Sequence, residues 1–292
     1  MRKTWKICVL SAVIMLAGNG MGPAISEDGA AAKLCEKKYA SLDSLVVLFE
    51  KKGMNIQRFL SDPKFQIYEN IDSIFKNSAE ALGADAYKEA LKRGDEKEAE
   101  RIFNEEYEKY KIKIGFEDKK AYINQFMEQY KSELSKAEKH YHIPAETIAS
   151  IIGLESNFGK YIGKRQAFNV YVSLYVKNFR RGFALRQLEE LLAFRKKTNK
   201  DIFDFTSSYA GAVGYMQFIP SSLNQWFVGD DVTDMEDTIN SVANYLDHFL
   251  QKEGTMEKAV HRYNSSNLYV RVVLELAEYG KGKTGEEEEK NK

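Results

Sequence analysis

Apolar residues recur every three or four positions along most of this chain, and that spacing predicts helices. The clearest run is Asp118 to Tyr141. There Ile123, Phe126, Met127, Tyr130, Leu134, Ala137 and Tyr141 share one side of a single long helix. Phe183 to Lys197 puts Leu185, Leu188, Leu191 and Leu192 in register. Met235 to Lys252 does the same with Ile239, Val242, Ala243, Leu246, Phe249 and Leu250. A last pair of helices is expected over Met256 to Tyr263 and Asn267 to Tyr279. Upstream, residues from about 42 to 115 divide into shorter helices. One spans Asp43 to Lys52, with Leu45, Val46, Leu48 and Phe49, and is stopped by Gly53. Another spans Glu96 to Tyr110 with Phe103, Tyr107 and Tyr110 on one face. No strong strand alternation appears, although Tyr209 to Ile219 has room for a small β-turn structure. Only four prolines interrupt a chain rich in Glu, Lys, Ala and Leu, which also favours helix. The fold class is therefore mainly α.

One polar residue breaks this pattern. Ile148, Ile151, Ile152 and Glu155 are spaced i, i+3, i+4, i+7 on a short helix, with Pro144 placed at its start and Gly159 at its end. A carboxylate on an apolar stripe loses hydration, so its pKa is expected to rise. A carboxyl group that keeps its proton near neutral pH can serve as a general acid. Spacing alone leaves a second reading open, in which Glu155 emerges at the helix end into solvent or onto a local cation.

The chain ends carry different information. Basic Met1 to Lys6, an apolar run from Ile7 to Ala17 and small residues to Ala24-Ile25-Ser26 have the three-part form of a secretory leader, residues 1–26. The apolar run is too short for a membrane span, which needs about 20 residues. Export to the periplasm is expected, with no transmembrane span in the mature chain. Cys8 falls in the leader and Cys35 stands alone, so no internal disulfide is expected. Leu34 before Cys35 argues against a lipidation site. The remainder divides into a helical region over 27–117, a core over 118–280 and a charged, disordered tail over 281–292. With 43 basic and 43 acidic residues, the charge balance does not suggest a nucleic-acid partner. Seventeen Tyr and seventeen Phe suit either a sugar cleft or an ordinary core.

Three downstream segments are placed to meet Glu155. In Ser207 to Ser222, small residues let backbone approach a ligand, and Gln217 offers both an amide donor and a carbonyl acceptor, a match for the acetamido group of an amino sugar. In the second, Tyr245 lies one residue before Leu246, at the edge of an apolar helix face. In the third, Asn264 can cap one helix while Ser266 or Asn267 starts the next. Each has a purely structural reading as well. His140, His142, His248 and His261 form no metal-ligand spacing, and neither a phosphate-binding glycine loop nor a Gly-x-Ser-x-Gly elbow is present.

Taken in order, Gly153-Leu154-Glu155-Ser156-Asn157-Phe158-Gly159, Ala210 to Ser222, Ser241 to Leu246 and Arg262 to Ser266 resemble the lytic murein transglycosylase B family, from about Tyr122 to Tyr279. The resemblance implies a lysozyme-like catalytic core with an N-terminal helical layer and little β structure, acting as a monomer on peptidoglycan glycan strands. It implies that Glu155 is the single catalytic acid/base. It also implies that Ser208, Gln217, Tyr245, Tyr263 and Asn264 bind substrate around the cleavage point. The chain departs from the family pattern between Trp226 and Asp237. The Asp-x-Asp-x-Asp-Gly spacing of a calcium loop is absent there, so no metal and no cofactor are expected.

A two-carboxylate glycosidase is hard to build here, because no second acid has a fixed relation to Glu155. The reaction that the resemblance implies, and that one carboxylate can serve, is cleavage of the β-1,4 bond between N-acetylmuramic acid and N-acetylglucosamine without water, leaving 1,6-anhydro ends. The rivals are a lysozyme-type hydrolase using Asp230 or Asp231, and a non-catalytic peptidoglycan-binding protein.

Overall fold

The helix that bears Glu155 is only weakly amphipathic, and burial explains why. In the computed structural model, which describes residues 41–76 and 87–290, this helix (α8, Ala145–Ser156) leaves only Glu146 and Leu154 less than fully buried. The expected apolar stripe is thus an all-round apolar surface. It arises because α8 is enclosed by α6 (Phe116–Gln129), α7 (Lys131–Tyr141), α12 (Met235–Glu253) and α14 (Asn267–Lys290). A helix packed on every side has no wet face to pattern.

Around it the architecture is mainly α, as expected. Helices lie over 41–50 (α1), Gln57–Leu60 (α2), Ile71–Lys76 (α3), 87–92 (α4) and Glu96–Ile114 (α5). After α8 come Ala167–Val176 (α9), Arg181–Thr198 (α10), Pro220–Trp226 (α11) and Met256–Tyr263 (α13). Among the described residues the sheet is one antiparallel pair, β1 (Arg165–Gln166) with β2 (Thr206–Ser207), extended by single bridges Ser207–Val213 and Val213–Phe218. Those bridges are the small turn structure expected over Tyr209 to Ile219.

Three elements differ from expectation. The run 118–141 is two helices meeting at Tyr130, whose φ of −113° leaves the helical region. The i to i−4 bonds Tyr130 N to Phe126 O (3.0 Å) and Leu134 N to Tyr130 O (2.9 Å) continue across the bend, so neither Gly nor Pro was needed and none announces it. Helix α9 has no periodicity to read, because nearly all of it is buried. The final helix continues to Lys290, through the stretch expected to lose order, since Glu and Lys are themselves strong helix formers. The leader over 1–26, Cys8 and Cys35 lie outside the described residues. No helix among the described residues is long and apolar enough to cross a membrane.

The N-terminal helices share the core. Leu45 and Phe49 of α1, Ile71 of α3 and Tyr107 and Tyr110 of α5 belong to the same buried cluster as α8 and α14. Tyr107 donates its hydroxyl hydrogen to Glu275 of α14, and Lys111 pairs with the same carboxylate at 3.2 Å. Asp95 caps α5 by accepting from Glu98 N at 3.1 Å.

One glycine is required by close approach. Gly163 (φ +95°) passes so near β2 that a Cβ there would lie 2.1 Å from the Ser207 carbonyl oxygen and 2.7 Å from Ser208 N. Gly163→Ala therefore displaces backbone. It is expected to cost about 1–3 kcal/mol in thermal or denaturant unfolding. Gly254→Ala is the control: it carries the same kind of positive φ (+81°) but meets open space, and is expected to cost about 1–2 kcal/mol from backbone strain alone, less than Gly163→Ala.

Candidate active site

The turn after α8 is built by four consecutive residues of the glutamate block. Ser156 Oγ donates to Ile152 O (3.1 Å) and accepts from Gly159 N (3.0 Å), clamping the helix end. Asn157 is the left-handed cap (φ 52°), so α8 stops two residues before Gly159. Phe158 is also left-handed (φ 59°), a strained conformation for a bulky residue. Packing compensates. Its ring lies against Gly153, where a Cβ would sit 2.6 Å away, and meets Phe126 and Tyr122 with centroids 5.1 and 5.2 Å apart.

This turn ends α8 just beyond Glu155, which is 1% exposed. Tyr269 of α14, itself buried, donates its hydroxyl hydrogen to Glu155 Oε1 at 2.7 Å. Tyr263 of α13 lies within electrostatic range of the same carboxylate. Burial first, and the nearby Glu155 charge second, push both phenols well above the ordinary tyrosine value. Both therefore stay protonated donors throughout the neutral range.

Tyr263 ties the glycine-rich segment to this corner. Its hydroxyl donates to Met216 O at 2.6 Å, immediately before Gln217. Gln217 adopts a left-handed conformation (φ 51°) and is 5% exposed. Its Nε2 donates to Gly214 O at 2.8 Å, while its Oε1 is buried and accepts no hydrogen bond. Ser208 closes the other end of the segment: its N donates to Ala212 O (2.9 Å) and its Oγ accepts from Ala212 N (3.2 Å). Helix α9 supports the segment through Tyr171, which donates to Gly211 O at 2.9 Å.

The remaining two expected site residues have visible structural duties. Tyr245 donates to Arg262 O (2.6 Å) and packs edge-on against Tyr263, with centroids 4.8 Å apart, so it braces that ring. Asn264 ends α13, and its Oδ1 accepts from Ser266 N at 3.2 Å, turning the chain into α14. The structure thus ties Tyr263 to the residue before Gln217 and sets its phenol within electrostatic range of Glu155. It sets Tyr245 and Asn264 as the frame of the tyrosine and Ser208 at the far end of the glycine segment.

Two buried groups at this corner escaped the sequence reading. Tyr269 sits in the apolar run that opens α14 and gives no signal of its own. Lys119 does leave one: it falls on the stripe of Phe116, Ile123 and Phe126, a charge on a buried face just as Glu155 is. It is 6% exposed, and its Nζ donates to Asn157 Oδ1 at 3.1 Å.

The sequence matches the family described as Transglycosylase SLT domain over residues 72–257. It is 36% identical over 128 residues to membrane-bound lytic murein transglycosylase B of Escherichia coli (strain K12), covering 41% of this chain and 36% of that protein. The chain thus spans about a third of the length of that curated relative. Among solved structures it is similar to the Escherichia coli lytic transglycosylase SLT35 in complex with calcium, with a TM-score of 0.61 and 21% identity over 84% of this chain and 92% of that one. It is also similar to SltB3 from Pseudomonas aeruginosa in complex with NAG-anhNAM-pentapeptide, with a TM-score of 0.61 and 18% identity over 85% and 80% of the two chains. At these identities the structural likeness is one of fold.

Calcium does not suit the segment before α12 in this chain. Asp237 Oδ2 accepts from Asp230 N and Asp231 N, each at 2.9 Å. Asp231 Oδ1 accepts from Thr233 N (2.9 Å) and Thr233 Oγ1 (2.8 Å) and pairs with Lys200 at 3.5 Å. These bonds, the Thr233 amide foremost, hold the Asp231 carboxyl below its ordinary pKa. Asp234 accepts from Asp237 N at 2.9 Å as the cap of α12. The carboxylates are committed to their own loop, and no group of three or more His, Cys, Asp or Glu among the described residues is arranged to hold a metal. With the family match covering more than half of its length and reaching from α3 through the glutamate turn to α13, the chain belongs to the transglycosylase SLT domain family.

Proposed function

We propose that this chain is a periplasmic lytic transglycosylase that cleaves peptidoglycan between N-acetylmuramic acid and N-acetylglucosamine, with Glu155 acting first as acid and then as base. The observation that carries the reading is the burial of Glu155 with a phenol hydrogen bond on one of its oxygens. Burial favours the protonated carboxyl needed at the start, while the Tyr269 hydroxyl favours the carboxylate formed after the proton has left.

The steps balance on one residue. Protonated Glu155 gives its hydrogen to the bridging oxygen. The bond from that oxygen to C1 of the muramic acid breaks, and the N-acetylglucosamine side leaves as an alcohol. The 2-acetamido oxygen of the muramic acid stabilises the cationic C1, as in substrate-assisted glycoside cleavage. Glu155, now a carboxylate, takes the proton of the 6-hydroxyl, whose oxygen attacks C1 and closes the 1,6-anhydro ring. No water is consumed and Glu155 ends protonated.

The surroundings fit this sequence of events. With Glu155 only 1% exposed, little water competes with the 6-hydroxyl. Gln217 Oε1, buried and accepting no hydrogen bond, offers an acceptor to an acetamido N–H of the glycan. Ser208, Tyr245, Tyr263 and Asn264 complete the substrate-binding assignment. Asp231, the rival second acid, already holds Thr233 and Lys200. The name of the relative, membrane-bound lytic murein transglycosylase B, agrees with the reaction proposed.

Glu155→Gln is expected to keep the circular dichroism of the parent and to lower the release of soluble muropeptides from purified sacculi by at least about 10²–10⁴-fold. Wild-type products should carry 1,6-anhydromuramic ends in mass spectrometry, and products heavier by one water would replace the lyase reading with a hydrolase. Tyr269→Phe removes one hydrogen bond to the carboxylate and should lower kcat by about tenfold or more, with KM little changed.

A further inference from the structure

We propose that Lys119 is a positioning residue for Glu155, its ammonium lying against the cap of the glutamate helix to stabilise the carboxylate that forms when the proton is given up. The proposal rests on the acid/base reading of Glu155 and adds to it a cationic partner from a different helix.

Burying a lysine is costly, and the environment of Lys119 does not offset that cost in the usual way. It makes no salt bridge within 4 Å among the described residues. Its hydrogen bond goes to a neutral amide, Asn157 Oδ1, two residues beyond Glu155. Because Asn157 is the left-handed cap of α8, the ammonium is tied to the end of the very helix that carries the acid. Burial dominates its protonation and draws its pKa down to about 8; Asp118 and Glu155 pull the other way, and Lys160 adds to the lowering. A buried lysine serving only to pack α6 against α8 could be a methionine of similar length without the desolvation cost. Keeping the ammonium makes sense if its charge is used, and the buried acid within its field is Glu155.

The other groups facing this pair are few. From α6 they are Asp118 and Tyr122, and Lys160 lies over the Tyr122 ring at 3.4 Å. From α13 and α14 they are Tyr263 and Tyr269, with Tyr110 of α5 acting on Tyr269 and Tyr245 of α12 acting on Tyr263. Helix α7 turns only Leu134 and Ala137 fully inward. The phenols of Tyr245, Tyr263 and Tyr269 are raised above the ordinary tyrosine value by burial, so among the described residues the cations there are Lys119 and the exposed Lys160.

The sign follows. A neighbouring cation lowers the pKa of a carboxyl group. Turnover needs Glu155 protonated at the start, so the alkaline limb of the pH profile marks the loss of that proton. Removing the Lys119 charge must move the alkaline limb upward. It must also slow the step in which the carboxylate forms.

The test is the pH dependence of kcat on purified sacculi for the full chain, alongside Glu155→Gln. Lys119→Met and Lys119→Gln are expected to move the alkaline limb up by about half a pH unit or more and to lower kcat several-fold, with thermal stability held or raised for the methionine. Lys119→Arg keeps the charge and should keep the limb near its parent position. Asn157→Gly retains the left-handed cap but removes the acceptor that ties the ammonium, and should move the limb in the same direction by less than Lys119→Met does. Alkaline limbs of Lys119→Met and Lys119→Gln that superimpose on the parent would overturn the proposal, as would a shift found in Asn157→Gly alone. If Lys119→Met does not fold, Lys119→Gln decides by the same readout. Full activity in Glu155→Gln would instead remove the acid/base reading itself, a separate failure visible in its own variant.

Discussion

The bond from Tyr269 to Glu155 joins the last long helix to one packed on every side, and the cost of burying that carboxyl shapes what surrounds it. A glutamate in an apolar helix must either keep its proton or find donors. Here the phenols of partly buried Tyr263 and buried Tyr269, both reluctant to ionise, supply polarity without adding charge of their own. The proposed mechanism asks that carboxyl to serve as acid and then as base, a balance between its two states.

That balance depends on where α8 ends. Ser156, Asn157 and Gly159 make the stop with side-chain and left-handed backbone geometry, and Phe158 secures it by filling the space left by Gly153. The consecutive residues of this block thus have one reason to occur together. The same turn offers the Asn157 side-chain oxygen Oδ1 to Lys119. Capping, strain relief and electrostatics meet within five residues of the acid.

The glycine-rich segment is positioned from outside. Tyr171 donates to Gly211 O from α9, Tyr263 donates to Met216 O from α13, and Tyr215 N bonds Val232 O of the loop before α12. A short stretch with only isolated bridges of its own is thereby held as firmly as a strand. The left-handed Gln217 can then keep an amide oxygen buried without a bonding partner, a cost that makes sense where a ligand supplies the missing donor. Tyr245 and Asn264 act one step back, by bracing a ring and turning the chain.

The helical class was legible because period is a local property: α10, α12 and α13 appear close to where the spacing of their leucines, isoleucines and valines puts them. Glu155 was legible for the same reason, as a charge out of phase with its neighbours. The turn residues Gly153, Ser156 and Gly159 could be named, and a resemblance in motif order could suggest Gln217 and Tyr263. Helix α9 could not be read, since full burial erases the alternation that marks an element. The bend at Tyr130 could not either, because hydrogen bonding continues through it and no special residue is spent on it. The sequence by itself determined the apolar faces of the amphipathic helices and the glycine-marked turns between them. Only the tertiary structure decided that Tyr269, 114 positions away, and Lys119, 36 positions upstream, share the burial site of Glu155. Such pairings depend on how helices cross, and spacing along one helix carries no record of its neighbour.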